Sequence, residues 1–157
     1  MTKIILGADP DADKSGIAIY KGGELIECKS MSLIDIYLMM KVESSSAKEL
    51  WIDIELHIEN LNGNKSSAFN YNRRDSKAVM GKKSESVGKC KQVQTEIERI
   101  AEYFDIKIVR HPVSPMWKSQ IQKKVFESVT GWKGSSNEDS RSAAYFGYLG
   151  LITGKTT

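Results

Sequence analysis

Cysteine is scarce: Cys28 and Cys90 are the only thiols in 157 residues, too few for a disulfide framework and without the spacing of a metal–thiolate site. Both read as ordinary core or surface residues. Long apolar runs are missing too. None approaches the ~20 residues that cross a bilayer, and the first, Ile4 to Ala8, is broken at Asp9, too early for a secretory signal. The expectation is an intracellular, cytoplasmic protein. There is no internal repeat and no low-complexity tail. With 40% hydrophobic residues, the chain has material for one core and not for two ordinary domains, so residues 1–157 are expected to form a single domain.

Strong net charge is also lacking. A balance of +3 does not identify a nucleic-acid partner, but its distribution is uneven. Between Asn60 and Lys91 lie Lys65, Arg73, Arg74, Lys77, Lys82, Lys83, Lys89 and Lys91, against only Asp75 and Glu85. Such a run is either a phosphate-binding surface or a loop whose lysines keep it soluble.

Local patterning implies a strand-rich start. Ile4–Leu6 is a buried-type run, and Gly16–Tyr20 and Glu24–Lys29 flank a Gly22–Gly23 turn, so a β-meander opens the chain. Ser32 can cap a short helix with Leu33, Ile34, Tyr37 and Leu38 on its apolar side, ended by the polar stretch Glu43–Lys48. From Leu50 to Ile58 the pattern alternates strictly. Leu50, Ile52, Ile54, Leu56 and Ile58 share one face, and Trp51, Asp53, Glu55, His57 and Glu59 the other. Residues 60–84 have few apolar positions and no sustained period, which predicts a long basic loop. Val87, Cys90, Val93, Ile97, Ile100, Ala101 and Phe104 mark an amphipathic helix leading into a strand at Lys107–Arg110. Trp117, Ile121, Val125 and Val129 suggest a further helical stretch. A last helix, from Glu138 to about Ile152, begins at Ser136 or Asn137.

Hard divalent cations take oxygen ligands, so the acids of interest are those brought together from separate elements. Asp9 ends an apolar strand where Pro10 stops the ladder, and a buried carboxylate there is costly unless a cation or a solvent opening offsets it. Its plainer role is to open the polar turn Pro10–Lys14, whose Asp11 and Asp13 read as solvated turn acids. Glu55 and Glu59 share a strand face but lie roughly 13 Å apart in an extended chain, so they cannot serve one ion pair; both could simply be the wet side of a half-exposed strand. Glu138 and Asp139 fall where acids commonly favour a helix dipole.

Several stretches together resemble the RuvC-type Holliday junction resolvases, particularly their short bacteriophage members. Ile4-Ile5-Leu6-Gly7-Ala8-Asp9-Pro10, continuing through Ser15-Gly16-Ile17-Ala18-Ile19, is similar to that family's opening strand, Gly-x-Asp-Pro turn and second strand. Ile54-Glu55 followed by Ser66-Ser67-Ala68-Phe69 resembles an Ile-Glu strand with a downstream Ser-Ser-x-Phe. Pro115-Met116-Trp117-Lys118 resembles a Pro-x-x-Trp-Lys signature, and Asp139-Ser140-Arg141-Ser142-Ala143-Ala144 the start of the last helix. The matches run in order over essentially the whole chain.

The resemblance implies an α/β, RNase H-like (RuvC-like) mixed five-stranded sheet flanked by helices, a homodimer, and cleavage of four-way DNA junctions with Mg²⁺ or Mn²⁺. Catalytic residues carry over to Asp9, Asp139 and a strand glutamate, Glu55 by its distance from Ser66-Ser67 or else Glu59; the metal set would be Asp9, Glu55, Glu138 and Asp139. Lys65, Arg73, Arg74, Lys82, Lys83, Lys89, Lys91 and Lys118 would contact DNA, and Phe69 or Tyr71 could wedge against an unpaired base. No nucleotide cofactor is implied. Two features depart from the family: its last helix normally carries a second acid where Ser142 stands, and the basic insertion after the strand glutamate is long. An incomplete acidic set also fits a non-catalytic branched-DNA-binding module. An ATP-using actin-like protein shares the opening, but needs a duplicated domain for which this chain has no room.

Overall fold

The computed structural model describes residues 3–63 and 77–154, with the backbone path alone for 77–84. Among the described residues the chain forms β1 (Lys3–Asp9), β2 (Ser15–Lys21), β3 (Glu24–Met31), α1 (Leu33–Leu50), β4 (Asp53–Glu59), α2 (Lys77–Tyr103), β5 (Lys107–His111), α3 (Gln120–Thr130) and α4 (Glu138–Gly154). The strands make one mixed sheet in the order β3-β2-β1-β4-β5. β1, β2 and β3 pair antiparallel through short turns. β4 and β5 join parallel to β1, as strands reached through crossover helices can.

Two cores lie on opposite faces of this sheet. On one, Ile4, Leu6, Ala8, Ile17, Leu56 and Ile58 pack with Ile36 and Met40 of α1 and Ile97 and Ala101 of α2. Full burial of each such Leu or Ile contributes about 1.5–3 kcal/mol. On the other, Ile5, Ala18 and Tyr20 meet Ala143 and Ala144 of α4, with Trp117 and Phe126 behind them. α4 lies unusually close to the sheet. A Cβ on Gly7 would collide with the Ala143 carbonyl, and one on Gly16 with the Asp139 carbonyl, so the missing side chains let the helix start directly over the ends of β1 and β2. Asn137 fixes that start: its Oδ1 accepts from Ser140 N at 2.8 Å, and its own N–H donates to Ser140 Oγ at 2.9 Å.

The structure revises several local expectations. α1 does not end at Glu43–Lys48 but continues to Leu50, because Ser44 and Ala47 face the core and Glu43 pairs with Lys21 Nζ at 2.7 Å. Trp51, in the left-handed region at φ 56, closes it, so β4 begins only at Asp53. The outward apolar stripes of α1 and α3 are not their core faces: Ile34, Leu38, Ile121, Val125 and Val129 are exposed, while Ile36, Met40 and Phe126 are buried. Trp117 precedes α3, which Ser119 caps. The expected loop is helical from Lys77 onward; Gly81 and Gly88 obscure the pattern there, and the turns extend from the segment packed through Val93 and Ile97. Finally, the acidic face of β4 is not wet. Glu55, His57 and Glu59 are all buried, since β4 is a central strand covered on that side by α4. No helix among the described residues is long and apolar enough to cross a membrane.

Candidate active site

Parallel pairing of β1 with β4 aligns Ala8 with Ile58, so the next residues, Asp9 and Glu59, end adjacent central strands side by side. The start of α4, held down over Gly16, brings Asp139 to the same place. Asp9, Asp11, Glu59, Lys118 and Asp139 line one cleft of about 340 Å³, whose opposite wall is α2 with Val87, Cys90 and Lys91.

Asp9 and Glu59 are only 3% and 4% exposed, and among the described residues Glu59 Oε2 has no hydrogen-bond partner. Lys118 Nζ stands 3.3 Å from Asp9 Oδ2 as an ion pair. Burial raises the Asp9 pKa, against the lowering effects of Lys118 and of the neighbouring Ser142 hydroxyl. Burial first, and then the Asp9 charge, push the Glu59 carboxyl up to about 7. Asp139 is likewise pushed up to about 7 by burial, by contact with the Asp11 carboxyl and by the charge of Asp9. Burial opposes the charge on Lys118, yet Asp9 and Glu59 outweigh it and raise its pKa. The carboxyls therefore repel one another in a desolvated space where a single ammonium is the nearest counter-charge.

Other residues that the sequence singles out lie elsewhere. Glu55 is four residues back along β4, near the opposite end of the strand; it accepts from Lys3 Nζ at 2.9 Å, shares a hydrogen bond with His57 Nε2 at 3.0 Å and has Lys107 Nζ at 3.8 Å. Burial alone would raise its pKa, but these partners lower it. Its charge is satisfied away from Asp9. Glu138 is exposed on the first turn of α4 and does not line the cleft. Lys118 and Lys91 line it, whereas Lys89 is turned toward Glu85, 3.2 Å away. Lys82 and Lys83 lie on the α2 backbone, and Lys65, Phe69, Tyr71, Arg73 and Arg74 fall outside the described residues.

Two contributors escape a sequence reading. Arg141 is buried; its Nε donates to the Trp117 carbonyl at 2.8 Å, its Nη2 to the Lys118 carbonyl at 2.5 Å and its Nη1 to Ser136 Oγ at 3.2 Å. It fixes the backbone that carries Lys118, with Trp117 held at φ 68. A cation in the first turns of a helix opposes the dipole, which was the available signal. Gln94 is fully buried, and its Oε1 accepts from Leu61 and Asn62 N–H groups at 2.7 and 3.0 Å, tying the chain that leaves Glu59 to α2.

The carboxylates of the cleft offer oxygen donors, the type a hard divalent cation takes, with Glu59 Oε2 buried and unpartnered among the described residues. Among the described residues no group of three or more His, Cys, Asp or Glu side chains is placed to hold a metal ion; the acids line the cleft with Lys118 beside Asp9.

Sheet order, flanking helices and the position of the cleft define an α/β fold of the RNase H-like, RuvC-like class. Two solved structures share it: Thermus thermophilus RuvC in complex with a Holliday junction substrate, at a TM-score of 0.59 and 9% identity, and Thermus thermophilus RuvC alone, at 0.58 and 10%. Each match covers 98% of this chain and 96% of the other. No protein-family model and no curated protein sequence matches the chain.

Proposed function

We propose that this protein is a metal-dependent endonuclease that cuts Holliday junctions and other branched DNA, related to the bacteriophage members of the RuvC type and acting in the host cytoplasm. The observation that carries the reading is the pairing of Asp9 with Glu59, two buried carboxylates at the ends of adjacent strands, joined in one cleft by Asp139 from a third element. Glu59 takes the place of the strand glutamate in preference to Glu55, whose charge is already satisfied. One structural neighbour is a RuvC bound to a four-way junction, which supports the substrate class.

Asp9, Glu59 and Asp139 would hold Mg²⁺ or Mn²⁺. The chemistry such ions supply when bound is a lowered pKa for an attacking water and stabilisation of charge on the leaving 3′ oxygen. The side chains hold the geometry: Lys118, fixed by Arg141, faces the site where a scissile phosphate would lie, and Lys91 on α2 neutralises phosphate charge from the other wall. The exposed stripe Ile34, Leu38 and Val42 on α1 supports a homodimer, since contiguous apolar surface of this kind commonly marks a protein interface.

A labelled four-way junction incubated with the protein and Mg²⁺ or Mn²⁺ should acquire paired nicks that a linear duplex does not, and Asp9→Asn should remove nicking while retaining binding. The ion pair between Lys118 and Asp9, together with Ser142 in place of a second helix acid, favours one other reading, a branched-DNA-binding module without cleavage. Tight junction binding with no nicks at any divalent-ion concentration would establish it.

A further inference from the structure

We propose that Asp11 is a further metal ligand of this cleft, sharing a divalent cation with Asp139. The inference rests on the metal-dependent reading above and adds a residue from the β1–β2 loop. Asp11 lines the same cleft as Asp9, Glu59 and Asp139, whereas Asp13, two residues on, is exposed and does not. The loop holds it there. Its N–H donates to the buried Ser15 Oγ at 3.1 Å, its Oδ1 accepts from Ala12 N at 2.7 Å, and Cys90 Sγ of α2 lies 3.7 Å from that oxygen.

The Asp11 carboxyl stands within hydrogen-bonding reach of the Asp139 carboxyl. Two carboxylates in such contact repel unless a proton or a cation lies between them. An independent observation points to the cation: Glu59 Oε2, on a side chain more than nine-tenths buried, lines the same cleft without a hydrogen-bond partner among the described residues. With every group ionised, the four carboxylates exceed Lys91 and Lys118 by two negative charges, which one divalent cation balances. On the helix side, Ser142 is fully buried and its hydroxyl lies against the Asp9 carboxylate. A hydroxyl is a weak substitute for a carboxylate ligand, so α4 offers Asp139 alone and the loop supplies the second oxygen donor.

The test is Mn²⁺ binding by isothermal titration calorimetry, without DNA, on the full chain and on Asp11→Asn, Asp13→Asn and Asp9→Asn, with thermal unfolding measured in EDTA and in Mn²⁺. Asp11→Asn should weaken Mn²⁺ binding roughly tenfold or more and shrink the Mn²⁺-induced rise in Tm, while raising the Tm in EDTA because the repulsion with Asp139 is gone. Asp13→Asn should behave as the parent. Parent-like Mn²⁺ binding by Asp11→Asn, with Asp9→Asn defective, would overturn the role of Asp11 and leave the metal site standing. Equal loss in Asp11→Asn and Asp13→Asn would overturn it as well, as a general charge effect. Absence of Mn²⁺ binding by the parent would overturn both readings.

Discussion

Asp9 and Glu59 end adjacent parallel strands, one step beyond the Ala8–Ile58 pair, and the charge of Asp9 disfavours ionisation of Glu59. Without a cation, that relationship opposes folding whenever both are ionised.

Stability should therefore depend on pH in a particular direction. Glu59 and Asp139 release their protons near 4.5 and 3.8 when exposed and near 7 in the fold. Between those values the folded chain holds protons that the unfolded chain has lost, so stability is greatest below the lower values and declines as pH rises through about 7. In EDTA, Tm should fall from about pH 5 to about pH 8, and Mn²⁺ should recover most of the loss at the upper end. A Tm that rises across this range in EDTA contradicts the arrangement.

The two glutamates of β4 should separate cleanly. Glu59→Gln removes a mutually repelling charge and should reduce junction cleavage more than about 100-fold without loss of stability in EDTA. Glu55→Gln breaks the contacts with Lys3 and His57 and should cost about 1–3 kcal/mol of stability, while retaining cleavage. Urea unfolding beside the cleavage assay checks both, and the opposite pattern would return the strand ligand to Glu55.

Arg141→Lys keeps the charge but cannot bridge the Trp117 and Lys118 carbonyls together with Ser136. It should cost about 1–3 kcal/mol and, by releasing Lys118 from its place beside Asp9, weaken junction affinity as Lys118→Met does. Gel-shift titrations of the two variants test the link; full affinity in Arg141→Lys with a defect in Lys118→Met would disconnect them.

Gly16→Ala should drive the start of α4 off the sheet, because the added methyl meets the Asp139 carbonyl. Overpacking of this kind costs about 1–3 kcal/mol, and cleavage should fall further than stability does, since Asp139 moves with the helix. Circular dichroism beside nicking rates reads both quantities.

Much of this fold is legible from pattern: the β-meander, the cap at Ser32, the stripe through Ile97 and Ala101, and a last helix opening at Ser136 or Asn137, of which the structure selects Asn137. The core faces of α1 and α3 were not, because each helix carries two apolar stripes and only docking selects Ile36 or Phe126 over Ile34 or Ile121. Within the candidate site, Asp9 stands out as a charge ending a buried strand. Choosing between Glu55 and Glu59 needs the register of β4 against β1, a tertiary property, since the period of two puts both on one face. Asp11 and Asp13 look alike in sequence and differ only in which one the loop turns toward α2.

The most direct measurement is anomalous diffraction from crystals of the protein soaked in Mn²⁺. A peak is expected at ligand distance, about 2.0–2.4 Å, from carboxylate oxygens of Asp9 and of Glu59 or Asp139. No peak in that cleft at saturating Mn²⁺, or one beside Glu55 and His57 instead, would contradict it.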